Sequence, residues 1–97
     1  MIIVHDIFVC KPGNASKLAK MFKEAMTASK EVISIMTDMT GQYNRVIMVS
    51  QYENLAAYEQ TSEKYKNPTP EMQASFEKMK GYQEMYLIGS REIYQTW

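Results

Sequence analysis

Cysteine, histidine and tryptophan are nearly missing from this sequence, which contains one of each: Cys10, His5 and Trp97. A single cysteine cannot form a disulfide within the chain, and this is usual for a protein of a reducing compartment. One histidine and one cysteine cannot build a closed structural zinc site, so we expect no metal. The sequence also lacks a glycine-rich phosphate loop and the GxSxG element of serine hydrolases. We therefore expect no bound cofactor.

An excess of charge and a long hydrophobic run are missing as well. Eleven basic and eleven acidic residues cancel, and a net charge of zero does not favour binding to nucleic acid or to an anionic membrane. No apolar run approaches the roughly 20 residues that span a bilayer. The start, "MIIVHD", is too short and too soon charged for a signal peptide. We expect a soluble, cytoplasmic protein without membrane or nucleic-acid partners.

The residues that are present predict one α+β domain over residues 1–97. Segments rich in β-branched and aromatic residues predict four strands, at 2–10, 31–40, 45–53 and 82–94. Apolar residues at helical spacing predict three helices, beginning after the capping residues Asn14, Asn54 and Thr69. The first of these helices is expected to end near Lys30.

The predicted order, β-α-β-β-α-α-β, is typical of a ferredoxin-like fold. Right-handed crossovers in two split β-α-β units give a four-stranded antiparallel sheet with the helices on one face. The first and third strands should lie in the centre of the sheet. Gly41 and Asn44 are expected to form the turn before the third strand, and Gly89 is a candidate β-bulge in the last strand.

The third strand is apolar on both of its faces. In "RVIMVSQY", Val46, Met48 and Tyr52 point one way, while Ile47 and Val49 point the other way. The other three strands show the same pattern, although helices can cover only one face. The uncovered face would be an apolar patch of several hundred Å², more than monomers usually expose. We therefore predict a homodimer that pairs sheet to sheet, with a flat ligand or a different protein as the rival cover.

Three stretches carry a resemblance to a known family: "FVCKPGN", "GQYNRVIMVSQYENLAAYE" and "NPTPEMQASF". With them the chain resembles the dimeric α+β barrel superfamily, and within it the NIPSNAP-like and antibiotic-biosynthesis-monooxygenase-like proteins. That superfamily includes cofactor-independent monooxygenases of aromatic substrates, haem-degrading enzymes and small-molecule lyases. The chain departs from the NIPSNAP-like pattern of tryptophans and arginines at Asp6, Ser50, Tyr58 and Met72. The resemblance implies a dimeric barrel and a small hydrophobic or aromatic ligand.

The candidate site residues are one histidine, one serine and three tyrosines. His5 has a side-chain pKa near neutrality and could serve as a general base, or it could be a core or interface histidine. Tyr52, Tyr58 and Tyr86 could line a cavity between sheet and helices, or they could be packing residues with their hydroxyls at the rim. Ser50 lies beside Tyr52 on the same strand. We expect these residues to form the polar lining of one pocket.

Two functions remain open. The first is a homodimer that binds a small hydrophobic or aromatic molecule; if it is an enzyme, the resemblance implies a cofactor-independent oxygenase in which His5 takes a proton and a tyrosine holds the oxyanion. The second is a non-catalytic homodimeric interaction or scaffold module. A cavity of some hundreds of Å³ would favour the first. RNA binding by the same topology is disfavoured, because "RVIMVSQY" lacks the glycine and inner aromatics of the RNA-binding strand.

Overall fold

The computed structural model describes residues 1–40 and 43–97 and shows the predicted α+β fold. Its elements are β1 Ile2–Cys10, α1 Ala15–Ala25, β2 Val32–Thr37, β3 Arg45–Tyr52, α2 Leu55–Lys66, α3 Pro70–Lys78, a 3₁₀ turn Tyr82–Glu84, and β4 Tyr86–Gln95. This is the expected ferredoxin-like order with one added turn before the last strand. None of the helices in the described ranges has the length and apolar character needed to cross a membrane.

The four strands form one antiparallel sheet in the order β2-β3-β1-β4. The central position of β1 and β3 is confirmed. The registers divide the side chains between two faces, because neighbours along a strand alternate. We call the helix-covered side the inner face; it carries Val4, Asp6, Phe8, Val46, Met48, Ser50 and Tyr52. The opposite side is the outer face; it carries Ile3, His5, Ile7, Ile47 and Val49.

The hydrophobic core lies between α1 and the inner face. Leu18, Phe22 and Ala25 recur at i, i+4 and i+7, so they form one stripe along the helix, and all three are buried. They pack with Val46 and Cys10 in a single cluster. Helix α1 therefore lies over β2 and β3, and the core is displaced toward that side of the sheet.

Several boundaries differ from the predicted ones for local reasons. Helix α1 ends at Ala25 instead of near Lys30. The hydroxyl of Thr27 donates to the carbonyl of Lys23 at 2.8 Å, so the side chain satisfies a carbonyl at the helix end. The last strand begins at Tyr86, because the chain reverses at Gly81, whose φ is 85°, and then makes the 3₁₀ turn.

Two of the three predicted helix caps are confirmed. The side chain of Asn54 accepts a hydrogen bond from the amide of Ala57, and that of Thr69 accepts one from the amide of Met72. Asn14 occupies the third cap position, but its backbone is already helical and its side chain makes no capping bond. The prediction of a capping side chain at Asn14 was therefore wrong.

The turn before β3 is only partly described. Asn44 has a positive φ of 61°, as predicted, while Gly41 lies outside the described residues. The predicted bulge at Gly89 is wrong, because Gly89 pairs regularly with Phe8 and the register shift lies between Val9 and Cys10. Gly89 has a different role: a Cβ atom there would lie 3.3 Å from the ring of Tyr86.

Candidate functional site

The helices leave part of the inner face open. Helix α1 and the core lie toward β3, while α2 buries none of its residues. Beyond Tyr86, every residue of β4 is exposed, although the strand is paired to β1 along its length. The inner face of β1 and β4 therefore forms the floor of an open groove.

The groove has aromatic side chains at one end and an ion pair at the other. It is an open depression of about 430 Å³, and Phe8, Tyr82, Tyr86, Asp6 and Arg91 contribute side chains to it. The ring of Phe8 lies 5.0 Å from that of Tyr86, and Tyr82 stacks on Tyr86 at 6.0 Å between centroids. These spacings are those of packed aromatic pairs. The ring of Tyr86 packs over Gly89, where a Cβ atom would lie 3.3 Å from it. We call this site the tyrosine groove.

Asp6 and Arg91 are direct cross-strand partners in the groove. The Nε atom of Arg91 donates to Oδ1 of Asp6 at 2.5 Å. This hydrogen bond raises the pKa of Arg91, although burial acts in the opposite direction. The guanidinium is therefore permanently charged and held in place by the carboxylate.

A second pair of tyrosines adjoins the groove on the side of α2. The rings of Tyr52 and Tyr58 lie 5.2 Å apart, and the Cζ atom of Arg91 lies 5.8 Å from the centroid of the Tyr58 ring. That separation permits a cation–π contact. Burial, and then the charges of neighbouring groups led by Tyr65, raises the pKa of Tyr52 to about 12. Its hydroxyl is therefore protonated at neutral pH and can donate a hydrogen bond.

Three of the five predicted site residues lie on the inner face of the sheet, and Tyr58 lies on α2 against Tyr52 of that face. Tyr86 lines the groove itself, and Tyr58 adjoins it through Arg91. Tyr52 lies next to Tyr58, and Ser50 is buried two residues earlier on β3. The structure thus brings Tyr52 and Tyr58 together, while Tyr86 lies toward the other end of the sheet: Tyr52 pairs with Ile2 across β1 and Tyr86 with Cys10.

His5 does not share that pocket. It pairs with Val49 and Glu92 on the outer face, and its ring lies 5.2 Å from that of Tyr94. The pocket expected to contain His5 together with Ser50, Tyr52 and Tyr86 is therefore not formed, because strand alternation directs Asp6 instead of His5 to the inner face. The role of His5 as a base is not tested by this placement and stays a prediction.

The pairing of Asp6 with Arg91 was not predicted from the sequence. The available signal was that each is a charged residue within an apolar strand, and such residues need a partner when they are buried. Their pairing depends on the register between β1 and β4. These two strands are separated by most of the chain, and their register shifts between Val9 and Cys10. Among residues 1–40 and 43–97, no group of three or more histidine, cysteine and acidic side chains is placed to hold a metal ion.

Comparison with protein families supports the fold and gives the family. The NIPSNAP family model matches residues 6–90. The chain belongs to the NIPSNAP family. Its structure is similar to that of an uncharacterised NIPSNAP domain protein from Burkholderia xenovorans, with a TM-score of 0.78 at 13% identity over 100% of this chain and 95% of that one. A NIPSNAP family protein from Agrobacterium tumefaciens gives 0.76 at 15% identity, over 99% and 85% of the two chains.

This NIPSNAP protein also shares its fold with a more distant group. An antibiotic-biosynthesis-monooxygenase-like protein from Deinococcus radiodurans gives a TM-score of 0.65 at 14% identity, covering 100% of this chain and 93% of that one. At such identities the likeness shows the fold alone. The comparison with curated proteins finds no match.

Proposed function

We propose that this NIPSNAP protein binds a small, planar, apolar or aromatic molecule in the tyrosine groove. The observation that carries the proposal is the groove itself, whose volume of about 430 Å³ lies in the range of ligand pockets. Its walls offer aromatic rings for stacking, and its charged pair lies at one end. This combination of an apolar body and a few convergent polar groups suits an oriented small molecule.

The chemistry of the groove favours holding a ligand over removing a proton from it. Burial, together with Tyr86 and Asp6, raises the pKa of Tyr82. A phenol with a raised pKa stays protonated at neutral pH, so it donates hydrogen bonds. The carboxylate that lines the groove, Asp6, is already bound by Arg91. The tyrosines would therefore hold an oxygen atom of the ligand.

A more specific form of the same proposal is that this protein is a cofactor-independent oxygenase and converts the bound molecule. Its support is the shared fold with an antibiotic-biosynthesis-monooxygenase-like protein, which is analogy at the level of fold. In this form a tyrosine of the groove would stabilise a developing oxyanion. His5 could contribute as a base only to a substrate that reaches the outer face, where the structure places it.

We also propose that the outer face pairs with a second copy of the chain. The supporting observation is the set of apolar side chains that are partly or largely accessible on that face: Ile3, Ile7, Val9, Met36, Ile47 and Ile88. A contiguous apolar patch of this kind marks an interaction surface. Two identical faces related by a twofold axis would cover each other. The alternative function, a non-catalytic scaffold dimer, uses the same surface and leaves the groove without a ligand.

Native mass spectrometry of the protein purified from its own cells tests the proposed ligand binding. We expect a non-covalent small-molecule adduct that disappears on denaturation. In Gly89→Val the added side chain would begin 3.3 Å from the Tyr86 ring and narrow the groove, so we expect the adduct to be lost. Valine suits a β-strand, so the variant should fold.

The matched control is Thr37→Val, the same new residue on the edge strand β2, at an exposed position outside the lining of the groove. This variant should keep the adduct. Spectra without any adduct for the wild type, or an adduct equally abundant in Gly89→Val, would contradict binding in the groove and favour the scaffold function.

A further inference from the structure

The two side chains of the ion pair in the tyrosine groove differ in their exposure to solvent. The side chain of Arg91 is 57% exposed, while that of Asp6 is only 15% exposed. The carboxylate therefore lies toward the sheet, and the guanidinium lies toward the open groove. A ligand entering from solvent meets the positive end of the pair first. A cationic ligand would be repelled there, and its natural partner, the carboxylate of Asp6, is already occupied.

The guanidinium also has one edge in use and one edge open. The contact with Asp6 is made by Nε, and within the described part of the chain no hydrogen bond from the two Nη atoms is found. A guanidinium carries five N–H donors in a rigid plane, and its terminal edge presents two parallel N–H bonds. That edge matches the two oxygens of a carboxylate in bidentate geometry.

The position of this open edge is fixed from two sides. Asp6 holds the Nε side, and the ring of Tyr58 lies 5.8 Å from Cζ. Holding the planar group before binding lowers the ordering cost of the complex. The aromatic rings of Phe8, Tyr82 and Tyr86 line the same groove as Arg91, so an apolar ring and an anionic group of one molecule could be bound together.

We infer that the ligand class of the tyrosine groove is an aromatic carboxylate. Its ring would lie against Tyr82 and Tyr86, and its carboxylate would accept two hydrogen bonds from the Nη atoms of Arg91. Asp6 acts as a positioning residue for Arg91. This inference rests on the proposed function, because it specifies the ligand of the same groove.

The test is a titration of the full-length protein with 2-naphthoate and with 2-naphthamide, a neutral compound of nearly the same shape. Calorimetry gives the affinities, and the backbone amide signals of Tyr82 and Gly89 show whether binding occurs in the groove. We expect the carboxylate to bind about 10-fold or more tightly than the amide, because a hydrogen bond to a charged acceptor is stronger than one to a neutral acceptor.

Two variants of Arg91 separate charge from geometry. In Arg91→Gln the preference for the carboxylate should disappear while the amide still binds. In Arg91→Lys the charge remains but the bidentate edge is lost, so a reduced preference is expected. The Lys variant also keeps the test decisive if the Gln variant fails to fold. Arg45→Gln is the matched control, because it removes the other arginine that forms an ion pair with an aspartate, Asp38, and it should keep the full preference.

The outcomes distinguish this inference from the function on which it rests. If both compounds bind in the groove with equal affinity, or if either Arg91 variant keeps the full preference, the inference is overturned and binding of aromatic molecules stands. If neither compound shifts the groove signals, the ligand class is overturned, and the native mass spectra decide separately whether the groove binds any molecule.

Discussion

At the scale of single residues, Tyr52 shows how the environment of the inner face raises the pKa of a tyrosine. It ends β3 beside Tyr58, and burial, followed by the charges of Tyr65 and Glu31, raises its pKa to about 12. A tyrosine of an unfolded chain has a pKa of about 10. The folded protein therefore holds this proton more tightly than the unfolded chain does.

This difference predicts how stability depends on pH. The contribution of the protonated phenol of Tyr52 is fully present below about pH 10, and it is lost as the pH rises through about 12. In urea unfolding over this window, we expect the free energy of unfolding to fall more steeply for the wild type than for Tyr52→Phe. Tyr43→Phe, at a tyrosine that is 85% exposed, should keep the wild-type slope. Parallel curves for wild type and Tyr52→Phe would contradict the raised pKa.

The assignment of residues to the two faces was predictable only in part. Adjacent positions had to point in opposite directions, so the sequence correctly separated His5 from Asp6 and Ile47 from Met48. It could not tell which set faces the helices, because both sets are apolar. The decision follows from the packing of Leu18 and Phe22 of α1 against one side of the sheet.

At the scale of elements, the two asparagines that precede helices behave differently. The Oδ1 atom of Asn54 accepts a hydrogen bond from the amide of Ala57 at 2.8 Å. Asn14 holds the equivalent position before α1 without such a bond. We expect Asn54→Ala to lower the free energy of unfolding by about 1 kcal/mol. The same change at Asn14 should cost less than about 0.5 kcal/mol.

Urea denaturation of the two variants at neutral pH measures this difference. Asn14→Ala is the matched control, since the residue type, the substitution and the position at a helix start are the same. Equal losses in the two variants would show that the capping bond of Asn54 contributes nothing measurable.

The order of the elements could be predicted from the sequence, while their ends could not. Four β-rich segments and three helical patterns gave the observed order, because periodicity extends over many residues. The ends depend on single contacts, such as the bond from Thr27 to the carbonyl of Lys23. The tyrosine groove likewise depends on details that periodicity does not contain: the 3₁₀ turn that carries Tyr82, and the packing of the Tyr86 ring over Gly89.

At the scale of the whole molecule, the proposals assign one task to each face of the sheet. The inner face holds the core and the tyrosine groove, and the outer face is proposed to pair with a second copy. Ile47 lies near the middle of the outer face, between its strand partners Ile7 and Met36. Burying this face in a dimer would remove its apolar side chains from water.

Sedimentation equilibrium at micromolar concentration tests the proposed pairing of the outer faces most directly. The chain has a mass of 11.3 kDa, so we expect the wild type to sediment as a dimer of 22.6 kDa, which is twice 11.3 kDa. Ile47→Asp should shift the mass to that of the monomer, because it would bury an unpaired charge between the sheets. Leu55→Asp, which places the same charge on exposed helix α2, should remain dimeric. A wild-type protein that sediments as a monomer of 11.3 kDa would contradict the pairing of the outer faces.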